Sequence, residues 1–212
     1  MPKYPRILAG AAVLLALVGL FLAPARGRDD PDEKEEKEKM MKTAAAKESL
    51  LKLIGGIEGG AKEDEIVKQA IAIGKMHEIG PVMNQMKPRE KGGLGVGDKP
   101  ESIQPDAIEL KLIALGNPKK LIPKAELTAQ QPDLIKMAEV ALAIAHVAPS
   151  YADGEGRKPA EAKEWNKYCE DMRKGSQTLL DAIKSGDPKK VQDASNRLNG
   201  SCNSCHTTFR DK

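Results

Sequence analysis

Asn199-Gly200-Ser201-Cys202-Asn203-Ser204-Cys205-His206-Thr207-Thr208-Phe209-Arg210 closes the last long apolar pattern of this 212-residue chain and contains C-x-x-C-H. That pentad is the attachment pattern for a c-type haem. Thiols three apart share one helical turn, so each can form a thioether to one edge of a porphyrin. The adjacent histidine then lies under the iron as proximal ligand. Two other chemistries use the same residue types. A thioredoxin-like C-x-x-C pair belongs in a βαβ context, and this chain has almost no β-pattern. A zinc site on Cys202 and Cys205 needs distant partners such as His146, and no second C-x-x-C or H-x-x-x-H is present. One covalent haem c is therefore expected on Cys202 and Cys205, with His206 on the iron.

Working back from the motif, Val191, Ala194, Leu198, Cys202, Cys205 and Phe209 fall on one helical face. The haem cysteines thus continue a core stripe, and a haem attached there faces the inside of a bundle. Gly186-Asp187-Pro188 supplies a stop for one helix, then an N-cap and a first helical residue for the next. The preceding helix starts at Pro159 and buries Trp165, Tyr168/Cys169, Met172, Leu179/Leu180 and Ile183. Before it, a helix is expected from Pro132, apolar almost all round, to about Ala148-Pro149.

Composition agrees with a helical reading. Aromatic residues are 3% and charged residues 31% of the chain, a profile that suits a bundle and argues against a β-sandwich. The net charge is +3, and two of its cations, Lys3 and Arg6, precede a long apolar run. The remainder is close to neutral, which gives no basic field for nucleic acid. Residues 1–25 have the form of a signal peptide. A positive start is followed by the apolar run Ile7 to Leu22 and an A-x-A site at Ala23-Pro24-Ala25. The run is long enough that an uncleaved membrane anchor is the alternative. Either way the domain is expected outside the cytoplasm, in the periplasm, where c-type haem is attached.

At the N-terminal side, residues 26–39 are a charged linker or helix start with Glu33/Lys37 and Glu35/Lys39 in the favourable i,i+4 order. The first long helix is expected over 33–57, loosened and ended by Gly55-Gly56 and Gly59-Gly60. A second is expected from Asp64 to about Met86, kinked at Gly80-Pro81. From Lys87 to Pro132 glycine and proline mark a loop-rich region with one short helix, Asp106 to Leu115. Its GGLGVGDK cluster lacks the G-K-[ST] ending of a phosphate loop, and no strand leads into it. No paired carboxylates or Ser/His/Asp set stands out, so the chemistry is the cofactor's and no enzyme is expected.

Pro132 to Lys212 resembles the cytochrome c′ family, a left-handed antiparallel four-helix bundle. The likeness rests on EWNKY with Trp165 early in the penultimate helix, on the SGDPKKV turn, and on C-x-x-C-H within two turns of the C-terminus. It implies an all-α haem-binding bundle over 40–212. Cys202 and Cys205 would be the thioether partners, His206 the proximal ligand and Arg210 a basic residue beside the proximal pocket. Residues 60–131 have no counterpart in standard members and read as an insertion. The first helix of the bundle is then 33–57, the alternative being 63–86. Family bundles often pair as homodimers.

The resemblance also implies that the sixth iron position decides the function. An apolar residue there gives a five-coordinate haem that binds nitric oxide or carbon monoxide. A methionine from the first helix gives a six-coordinate carrier of electrons, serving a redox partner protein. Met41 or Met40 holds the family's position. Met83, Met86, His77 and His146 are further candidates. Electron transfer is the first expectation and gas binding the second. The third is a haem-free helical protein whose C-x-x-C-H holds zinc or a redox pair.

Overall fold

A computed structural model describes residues 31–99, 103–154 and 158–210; the leader expected at 1–25 lies outside them. Seven α-helices and three short 3-10 turns dominate the described residues, with no strand among them. The all-α expectation holds.

The first helix, α1 (Pro31–Glu58), carries the predicted Glu33–Lys37 and Glu35–Lys39 pairs at 2.7 and 2.6 Å. Thr43, Ala46, Leu50, Leu53 and Ile54 form its buried stripe. After α2 (Glu63–Met76) the chain does not run on as one kinked helix. His77 takes an extended conformation, φ −125° and ψ 144°, and a separate short helix α3 (Ile79–Met83) follows. The break precedes Pro81, which sits in the first turn of α3 where a missing N–H costs nothing. Two contacts hold His77 out of the helix. Its Nε2 lies 2.8 Å from Ser49 Oγ, and the Tyr151 hydroxyl donates to its carbonyl at 2.8 Å.

The loop that follows is built around Arg89. Its guanidinium pairs with Asp106 and donates to the Gly97 carbonyl. Asp106 also accepts from the backbone N–H groups of Arg89 and Val96 at 2.9 and 3.2 Å. The Asp98 N–H goes to Asp133 at 3.3 Å. The Gly92, Gly93 and Leu94 amides donate to backbone carbonyls, and those of Val96 and Asp98 to carboxylates, so the glycine cluster is a structural turn. The short helix predicted here is α4 (Ile108–Leu115).

The apolar helix starts earlier than expected: α5 spans Lys124–Val147, with Pro132 inside it. Leu127, in the first turn, is fully buried, and its packing holds a helical turn ahead of the proline. This helix is long and apolar enough to cross a membrane, yet it is mostly buried within the fold. α6 (Pro159–Ser185) and α7 (Pro188–Phe209) have the predicted boundaries. Gly186 at φ 65° takes the left-handed cap that favours glycine, and Asp187 accepts from the N–H groups of Lys189 and Lys190 at 2.9 and 3.2 Å.

α5 and α6 run antiparallel. Gln131 Nε2 donates to the Ile183 carbonyl at 2.7 Å at one end, and Trp165 Nε1 to Ala148 at 2.8 Å at the other. α7 returns along α6, where Gly175 lets the helices approach: a Cβ there would stand 3.3 Å from the Leu198 Cα. α1 and α2 pack on α5, while α4 packs on α7. The main core lies among these helices. A smaller cluster of Ala148, Ala152, Trp165 and Cys169 closes the end of the molecule at which α5 ends and α6 begins.

Candidate functional site

The C-x-x-C-H residues lie in the last two turns of α7, beside the smaller cluster. Cys202 packs against the main core, whereas Cys205 and Phe209 pack against the end cluster. Cys202, Cys205 and His206 are all half-buried. Phe209 meets Trp165 edge to face with ring centroids 5.1 Å apart, and Tyr168 at 6.0 Å. Tyr168 Oη lies 3.2 Å from Thr208 Oγ1, which fixes the same turn of α7 against α6. The motif is therefore held on its inner side by aromatic packing, with Asn203, Ser204 and Thr207 facing water.

The Arg210 side chain lies one turn beyond His206, and its Nη1 is 3.2 Å from His206 Nδ1. A guanidinium only donates, so in this arrangement Nδ1 accepts and Nε2 carries the proton; binding a metal through Nε2 would move the proton to Nδ1 and turn the Arg210 guanidinium aside. The predicted basic residue thus reaches the predicted iron ligand.

The donor chemistry fits a thioether-linked haem better than a thiolate-bound metal. Burial, then the Glu109 carboxylate on α4, then Cys205 push the Cys202 thiol up to about 12. A redox nucleophile must be a thiolate, which this setting disfavours. A thioether is neutral and suits an apolar wall. Among the described residues no three His, Cys, Asp or Glu side chains converge as a metal-holding group, whereas a haem iron needs only His206 from the motif. The residues present fit a haem.

The other candidates are dispersed. Met40 and Met41 stand on the solvent side of α1, 66% and 69% exposed. Met86 is buried in the main core. His77 is held by Ser49, and His146 lies 4.0 Å from Glu63, with burial lowering its pKa. Met83 on α3 packs against both the main core and the end cluster. Ile79 and Tyr151 join it against the end cluster, and neither was singled out from the sequence. Periodicity alone could not find them, because α3 has five residues and Tyr151 sits in a 3-10 turn.

The arrangement is a C-x-x-C-H helix whose cysteines pack inward at one end of a helical fold. Residues 159–210, which span α6 and α7, match the family model described as Cytochrome C'. That family carries a covalently bound haem c. Searches of curated proteins and of solved structures returned no match.

Proposed function

We propose that this chain is an exported monohaem cytochrome of the c type whose task is electron transfer. The observation that carries the reading is the placement of Cys205 and Phe209 against the Trp165 cluster, within the segment that matches the family model. Cys202 and Cys205 hold the haem by thioethers, and His206 binds the iron through Nε2. A haem held by these residues would supply one-electron redox chemistry. The protein's part is to keep water from the inner face, place the Arg210 cation beside the imidazole, and close the far side with Ile79 and Met83 of α3. Export to the periplasm follows from the leader at 1–25, and the partner is another redox protein.

A second reading, gas binding at an open iron, is favoured by the exposure of Met40 and Met41 and by the apolar side chain of Ile79. Haem staining on a denaturing gel after expression with c-haem maturation tests the cytochrome assignment, since only covalent haem survives denaturation. An unstained band overturns it. Visible spectra with and without carbon monoxide separate the two functions: a low-spin ferrous spectrum unmoved by the gas supports electron transfer, and a readily shifted high-spin spectrum supports gas binding.

A further inference from the structure

We infer that the thioether of Met83, on the short inserted helix α3, is the sixth ligand of the haem iron. The inference rests on the haem reading and deepens it. The described methionines sort by their packing. Met40, Met41 and Met76 are 66%, 69% and 64% exposed. Met86 and Met137 are buried in the main core, and Met172 packs against that core only. Met83 alone among them also reaches the end cluster, on which Cys205 packs. The end cluster, on which Cys205 packs, therefore has Met83 as its single methionine among the described residues, and that residue comes from residues 60–131, outside the matched segment.

α3 is also positioned to hold such a ligand. Gln85, fully buried just beyond it, donates through Nε2 to the Thr43 carbonyl of α1 at 3.0 Å and to the Pro81 carbonyl of α3 at 3.1 Å. The Leu94 N–H donates to the Gln85 carbonyl at 3.0 Å, and the Tyr151 hydroxyl holds His77 ahead of α3. A short helix fixed at both ends presents a soft, flexible thioether at little ordering cost, which suits an axial ligand. The two histidines with stronger donor atoms are turned elsewhere, His77 to Ser49 and His146 toward Glu63.

The test uses the matured holoprotein and Met83→Leu, a nearly volume-conserving change that removes the sulfur. Met40→Leu and Met41→Leu serve as comparisons. The wild type is expected to show a low-spin spectrum with the weak long-wavelength sulfur-to-iron band. M83L should lose that band and bind carbon monoxide at least about tenfold more tightly, since the site no longer has to open. M40L and M41L should match the wild type. A low-spin M83L with the band intact, or loss of the band in M40L or M41L, overturns the inference while leaving the cytochrome reading in place. A high-spin wild type overturns it too, and a protein without covalent haem overturns both. If M83L fails to accumulate as holoprotein, NMR of the ferrous wild type decides. An upfield ring-shifted methionine methyl with contacts to Val82 supports Met83, and its absence or assignment to another methionine refutes it.

Discussion

The indole Nε1–H of Trp165 donates to the carbonyl of Ala148 at 2.8 Å, tying the start of α6 to the end of α5 beneath the haem motif. Both residues are buried, so the bond is made away from water. Trp165→Phe keeps a ring against Phe209 but removes this buried hydrogen bond, and it should cost about 1 kcal/mol. Urea unfolding of the holoprotein checks this, with a lower midpoint expected at an unchanged slope.

Replacing both thiols, in Cys202→Ser with Cys205→Ser, should abolish the stain on a denaturing gel. Neither thiol caps a helix or fills the deepest core, so the helical circular dichroism should persist. Single serine variants should retain one thioether and a weaker stain.

Arg210 places a cation against His206, and a positive charge near the iron favours its reduced, less positive state. Arg210→Gln should lower the reduction potential. Because Arg210 is exposed, the fall should shrink as salt is added. A salt-independent change would mean that the side chain acts by packing instead.

Glu139 faces α1 from the middle of α5, 5% exposed, with one carboxyl oxygen lacking a partner. Burial first and the Glu58 carboxylate second raise its pKa to about 7, with Lys184 and Lys136 opposing. The folded state therefore holds a proton that the unfolded state releases near the ordinary carboxylate value. That stability is complete at acid pH and is lost as the pH rises through about 7. Glu139→Gln, which keeps a neutral amide there, should change little at about pH 4 and stabilise by on the order of 2 kcal/mol at about pH 8. Urea midpoints at both pH values give the answer.

Gly93 sits where a Cβ would lie 1.9 Å from the Lys87 carbonyl oxygen. Backbone cannot yield as a side chain tip does, so Gly93→Ala should cost about 1–3 kcal/mol. Gly55, with open space around it, is the comparison: Gly55→Ala should be neutral or slightly stabilising within α1. Thermal midpoints of the two variants should move in different directions.

The C-terminal half was legible because its signals are local. Pro159, Gly186, Asp187 and Pro188 act through their own dihedrals and caps, and the observed ends of α6 and α7 fall where those residues stand. The start of α5 was misplaced because proline tolerance at Pro132 depends on Leu127 being buried by other elements. The break at His77 was missed for a similar reason: Ser49 and Tyr151, distant in sequence, decide it. The site divides the same way. A pentad reveals the attachment face and the proximal ligand. The opposite wall depends on which segment folds over it, and the outward turn of Met40 and Met41 shows how little a position along α1 says about its facing.

α5 is mostly buried and packs against α1, α2 and α6, while α4 packs on α7. The 52 residues that carry the family signature are thus not a detachable module. Excised, α6 and α7 would expose the faces that α5 and α4 now bury, and two helices alone offer too small a core to compensate. What is inherited as a short sequence signature operates as a property of the whole chain. Any transplant of the haem motif into another scaffold would have to bring the partners of α6 and α7 with it.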